Sequence, residues 1–206
     1  LIENTPPVLT SKVRFEDARE HELLICSELP FIPNFGWSVF EKVMKKGKNP
    51  GVHVIRDSDC HTSRPYVSKL ESEEYRFPLL NSISKTKGKT YRFSSRPHKN
   101  QTQKKVIFSN GETIVPFYDD GVVGVTEGGL YVIVDTCHTG GKLVDYLNTN
   151  LIKFLIKATK WSNFETNKQL FHYIPNIISD LDDITNERVC GYFGLTEEEI
   201  VMIGGV

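Results

Sequence analysis

Apolar residues recur at helical spacing from Leu143 to Ala158. Leu143, Leu147, Leu151, Phe154, Leu155 and Ala158 form one stripe, and Lys142, Asn148, Asn150, Lys153 and Lys157 fall largely opposite it. The spacing predicts one helix of about four turns. The pattern breaks at Trp161. Ser162, with Glu165 three residues on, has the form of a capping box opening a second helix that Pro175 stops. Trp161, Phe164, Leu170, Phe171 and Tyr173 are its packing candidates.

Upstream the period shortens. Lys105–Ser109, Thr113–Tyr118 and Leu130–Val134 read as strands, with Asn110-Gly111 as a turn signal between the first two. Pro116 assigns the second to an edge or a strand end. Gly121 to Gly129 reads as a glycine-rich loop. Before these, His53–Asp57 and Tyr66–Leu70 alternate as short strands. Ser82–Gln103 reads as a polar loop with one strand-like piece, Tyr91–Phe93. Phe15–Leu29 has a helical look, and Trp37–Lys46 is a short amphipathic helix with Lys42, Lys45 and Lys46 outward. Pro30 to Trp37 is an aromatic turn. After the acidic connector Asp180–Asp183, Thr185–Phe193 predicts a short helix ended by Gly194. Thr196 and Glu199 form a capping box for the last one. The predicted class is α+β: a small twisted mixed sheet, open or partly closed, with packed helices and a helical C-terminal part.

The chain has 206 residues, 39% hydrophobic and 25% charged, which suits one medium globular domain. Cys26, Cys60, Cys137 and Cys190 are scattered without a CxxC pair, so reduced thiols and a cytoplasmic location are expected. No apolar run is long enough to span a bilayer. Because the chain begins at Leu1, a piece of a longer parent is expected.

The run Tyr146-Leu147-Asn148-Thr149-Asn150-Leu151, then Phe154-Leu155, then Ile174-Pro175, resembles the closing element of a known domain. This is the target-recognition domain of adenine-specific DNA methyltransferases of restriction–modification systems, of the TaqI-like type, and of their fused restriction relatives. Thr149 stands where serine is usual. The order of elements from Lys104 onward also follows that family. The resemblance implies sequence-specific double-stranded DNA recognition. The partner would be a catalytic methyltransferase domain of the same parent chain. The Asn-Pro-Pro-aromatic tetrad and the glycine-rich methyl-donor site are missing here. No cofactor is therefore expected in this stretch, and S-adenosylmethionine is implied for the parent. On this reading residues 1–11 are a linker or lead-in arm, 12–177 the recognition domain, and 178–206 a C-terminal helical appendage.

Net charge is −1, but its distribution is uneven. Between Glu74 and Glu112 there is no acidic residue, while nine lysines and arginines fall in that window. Lysine and arginine neutralise phosphates, and Arg, Asn and Gln read base edges. Lys85, Lys87, Lys89, Lys104 and Lys105 are the candidates for phosphates; Arg92, Arg96, Asn100 and Gln101 are those for bases. His98 and Lys99 complete the candidate surface. A solvated basic loop is the plain alternative.

Two other chemistries have candidate residues. Cys60-His61 and Cys137-His138 are zinc-ligand types, although adjacent ligands make awkward tetrahedral geometry. Asp119, Asp120, Glu127 and Lys142 supply carboxylates and a lysine for a stand-alone metal-dependent nuclease, without the acid-x-lysine strand such sites use. Asp119-Asp120 before Gly121 reads better as a turn. A protein-binding module without DNA affinity is the third class. GVTEGG and Gly140-Gly141-Lys142 lack P-loop spacing.

Overall fold

The computed structural model describes residues 9–14, 20–25, 33–46, 50–84, 88–110, 114–160 and 168–205. Among them lie nine strands and six helices. The first pair, β1 (Leu9–Arg14) and β2 (Glu20–Ile25), forms an antiparallel two-stranded sheet. It replaces the predicted helix over Phe15–Leu29 and takes up part of the predicted linker. Pairing with the strand just upstream has overridden helical periodicity there.

The middle layer is a three-stranded antiparallel sheet. β6 (Lys104–Ser109) lies between β7 (Phe117–Asp120) and β9 (Gly129–Ile133). Val106 sits opposite Val132 and Phe108 opposite Leu130, and these four enter the main core with the helices. Ile107 sits opposite Tyr131, and both point the other way, into a second cluster with Leu80 and Val125. Burial on both faces explains why β6 is apolar without a break. Pro116 lies just ahead of β7, at the edge, as the missing N–H requires.

The second cluster is covered by a mixed four-stranded sheet. Its order is β3 (Val67–Ser68), β5 (Gly88–Ser94), β4 (Phe77–Ser84), β8 (Gly124–Val125), with β8 parallel to β4. Neither sheet closes on itself. His53–Asp57 forms no strand; only Ile55 pairs, exchanging both backbone hydrogen bonds with Tyr131 at 2.8 and 3.1 Å.

Helices cover the other face. The apolar stripe at Leu143–Ala158 is split into α2 (Cys137–Asn148) and α3 (Asn150–Ala158), correcting the single helix. Thr149 is extended, at φ −63° and ψ 152°, and its hydroxyl caps α3 at the N–H of Ile152. Three residues that compete for the backbone, Asn148-Thr149-Asn150, stand together at the break. α1 (Trp37–Lys45) packs Val39, Phe40 and Val43 into the main core. Gly36 precedes it at φ 70°, with a Cβ position only 2.2 Å from the Phe154 ring, so no side chain fits. α4 (Leu170–Tyr173) buries Leu170 and Phe171. The capping box at Ser162–Glu165 and the side chains of Trp161 and Phe164 lie outside the described residues.

α5 (Asn186–Phe193) and α6 (Glu197–Gly204) form as the caps predict, the Thr196–Glu199 box included. Val189, Cys190, Phe193 and Ile203 belong to the main core, so the C-terminal segment is built into the body. The lysines of α1 help hold it. Lys42 pairs with Glu199 at 2.6 Å, and Lys46 donates to the Tyr192 carbonyl and lies over its ring. Among the described residues no helix is long and apolar enough to cross a membrane.

Candidate nucleic-acid interface

The acid-free window folds into the β4–β5 hairpin, a turn over residues 95–103, and β6. Half of the predicted polar loop is therefore strand. Ser82 faces Thr90, Ile83 faces Lys89 and Ser84 faces Gly88, with a register shift between Leu80 and Ser82. The Ser82 and Thr90 hydroxyls meet at 2.7 Å. β3 pairs only with Phe93 and Ser94, and β8 only with Leu79 and Leu80. Beyond those pairs the hairpin runs on as a two-stranded ribbon. Directly opposed residues share a face. Ile83 and Lys89 turn toward the second cluster, where the Lys89 ammonium lies 3.3 Å from the Phe117 ring centroid. Burial lowers the Lys89 pKa, with the Asp119 charge opposing that shift. Ser82, Thr90 and Arg92 share the opposite face and are half-buried; Arg92 lies opposite fully buried Leu79, while Lys89 and Tyr91 are exposed. The Arg92 Nε is buried without a hydrogen-bond partner, a state that costs about 1–3 kcal/mol.

The turn is fixed from the core outward. Tyr131, fully buried, donates its hydroxyl to Asp57 at 2.7 Å. Asp57 also accepts from His98 Nε2 at 3.1 Å and from the Asp59 N–H. Burial works against the Asp57 charge, but the hydrogen bonds from His98 and Tyr131 outweigh it and hold the carboxyl far below its ordinary value. The N–H of Asn100 donates to His98 Nδ1, so the neutral His98 carries its proton on Nε2. Asn100 Nδ2 donates to the Tyr131 hydroxyl at 2.7 Å. Gln101 donates to the carbonyls of Pro78 and Val122 and accepts from His98 N. Gly124 sits so close beneath this turn that a Cβ would lie 2.6 Å from His98 Cβ.

The charged candidates divide sharply. Lys105 is fully buried, and its ammonium donates to Asp119 at 2.8 Å and to the carbonyls of Gln101 and Gln103. Lys104 lies 3.9 Å from Asp120, and Lys99 lies 3.4 Å from Asp57. Arg96 donates Nη2 to Asp59 at 2.9 Å and to the Tyr66 hydroxyl at 2.8 Å, with its guanidinium over the Tyr66 ring. The window that lacks acids in sequence thus acquires four carboxylates in space: Asp57, Asp59, Asp119 and Asp120. Lys89 and Arg92 make no ion pair among the described residues; Lys85 and Lys87 lie outside them. Buried Lys105, His98 and Gln101, together with Asn100, hold the turn, so their polar groups are engaged within the fold. Asp57, Asp59, Tyr66, Tyr131, Ser82 and Thr90 escaped the sequence reading. For the lysines a signal existed: Lys104-Lys105 open β6 where Asp119-Asp120 close β7, in register. The two aspartates are strand residues, not a turn.

Beside the turn is an open polar depression of about 500 Å³, lined by Arg56, Asp57, Ser58, His61 and Glu127. Glu127 accepts from the Thr62 N–H at 2.9 Å and its hydroxyl at 2.5 Å. Burial raises the Glu127 pKa and these bonds lower it, with a net downward shift. Cys60 is buried, and burial with the Asp59 charge pushes its thiol up to about 11. Cys137 is exposed at the start of α2. Among the described residues no three His, Cys, Asp or Glu side chains are grouped to hold a metal ion.

No protein-family model matches this chain, and no curated protein matches its sequence.

Proposed function

We propose that this chain is the target-recognition domain of an adenine-specific restriction–modification methyltransferase and binds double-stranded DNA sequence-specifically. The supporting observation is the sorting of cations. Those on the turn and β6 are neutralised within the fold, while Lys89 and Arg92, on the ribbon, keep charge available for phosphates and base edges. The methyl-donor site and the pocket for a flipped adenine belong, in this reading, to the parent's catalytic domain in the cytoplasm.

The test is fluorescence anisotropy with a random-sequence duplex at low and raised salt. Binding should weaken with salt, with a log–log slope of about −0.9 for each phosphate contacted. The Lys89→Gln/Arg92→Gln variant should bind more weakly with a shallower slope, and Lys104→Gln should change little. A folded wild-type chain that binds no duplex at low salt overturns the proposal.

A further inference from the structure

We infer that Ser63, His61 and Glu127 form a second site, a nucleophile, a base and a carboxylate that hydrolyse small carboxylic esters. The Ser63 Oγ lies 2.9 Å from Nδ1 of His61, within reach for proton transfer. The Ser63 N–H donates to the same nitrogen at 3.1 Å, so the neutral ring turns a lone pair toward residue 63 and carries its proton on Nε2. On the Nε2 side stands Glu127, with Oε1 at 3.9 Å. Hydroxyl, imidazole and carboxylate thus follow one another in the order of a nucleophilic triad. The ring is reversed relative to serine proteases, which turn Nε2 to the hydroxyl.

A turn that served only to bend the chain would need His61 and Ser63 alone. Glu127 comes from 64 residues beyond Ser63 and is held in place by the residue between the other two: Thr62 donates both its N–H and its hydroxyl to that carboxylate. Backbone bonds from Arg64 N–H to the His61 carbonyl and from His61 N–H to the Ser58 carbonyl fix the segment. Ser63 is exposed, and His61 and Glu127 line the polar depression of about 500 Å³, which has room for a short acyl chain and its alcohol. Arg56 and Ser58, in the same lining, supply donors for a developing oxyanion.

In the first step the Ser63 oxygen bonds to the ester carbonyl carbon and its proton passes to Nδ1. The carbon–oxygen bond to the alcohol then breaks, and Nδ1 returns the proton to the leaving oxygen. Water attacks the acyl-serine, giving its proton to Nδ1. The bond to Ser63 breaks, the serine oxygen is reprotonated, and a carboxylic acid leaves. Glu127 is a positioning residue, which orients the ring and stabilises the imidazolium.

The experiment uses the full chain with p-nitrophenyl acetate as substrate and an alkyl fluorophosphonate as serine probe, its position read by peptide mass spectrometry. The probe should add once per chain, on Ser63. Ser63→Ala should lose both label and turnover, and His61→Gln should lower both at least about 100-fold. Glu127→Gln still accepts the Thr62 bonds, so its melting temperature should hold, while kcat falls at least about tenfold at unchanged KM. A folded wild-type chain that takes no label on Ser63, or Ser63→Ala turning over ester at the wild-type rate, overturns the proposal. DNA recognition stands apart from either result.

Discussion

Lys105→Met should destabilise the fold severely and leave any DNA contact of the ribbon untouched. Lys105 is fully buried, and its ammonium makes three hydrogen bonds, to Asp119 Oδ2 and to the carbonyls of Gln101 and Gln103. Methionine fills much of the same volume and offers no donor. Asp119 would keep the N–H groups of Gly121, Val122 and Val123 but lose its counter-charge. Breaking a buried pair from one side costs about 3–5 kcal/mol. Each carbonyl left dry adds to that, though not additively. A domain of this size is stable by about 5–15 kcal/mol, and each kilocalorie moves its melting point by about 2–4 °C. A fall of roughly 6–20 °C follows. Urea denaturation followed by far-ultraviolet circular dichroism, on Lys105→Met, Asp119→Asn and the double variant, measures it. The double variant should lie at least about 1 kcal/mol closer to wild type than the sum of the singles. Additive losses, or a Lys105→Met loss under 1 kcal/mol, would refute the argument. At a temperature where it remains folded, Lys105→Met should show the wild-type salt slope for duplex binding.

Acid should erode stability through Asp57, whose folded carboxyl is held low. As pH falls through about 4, the unfolded Asp57 takes up a proton while the folded one stays ionised, so stability drops with falling pH. Glu127 and Glu199, also shifted down, act in the same direction. Asp57→Asn should be less stable at pH 7 and lose stability less steeply between pH 5 and 3, read from urea midpoints. Gly51→Ala should cost about 3 kcal/mol, because a Cβ there falls 2.1 Å from the His172 carbonyl oxygen, which is backbone. A thermal melt within 2 °C of wild type would rule that out. Thr149→Ala should cost about 1 kcal/mol through the lost α3 cap, measured by urea denaturation.

Local rules carried the sequence reading where the decisive partner is near in the chain. The Thr196–Glu199 box, the stop at Gly194 and the edge assignment at Pro116 each depend on a few adjacent residues. The reading failed where the partner lies outside the segment whose pattern is being read. Nothing within Phe15–Leu29 announces that Glu20–Ile25 will pair with Leu9–Arg14. The basic window shows the same limit in electrostatic form. Its acid-free run is real in one dimension, but Asp57 and Asp59 arrive from some 40 residues upstream to meet Lys99 and Arg96. Burial of Lys105 follows from the covering of its face of β6 by a second sheet, which a single strand's pattern cannot reveal. The break at Thr149 was legible in its three cap-forming residues, yet the continuous apolar stripe masked it.

The ribbon's shape also bears on how such a chain diversifies. Its exposed positions, Ser84, Lys89 and Tyr91, belong to neither core cluster. The bonds that hold the Asp57 hub and the Lys105 pair are made elsewhere. Substitutions at those exposed positions therefore trade little against stability, whereas those in the turn behind disturb the scaffold. Selection for new binding preferences can vary these positions over an unchanged frame, and a library randomised at these three residues should yield mostly folded members.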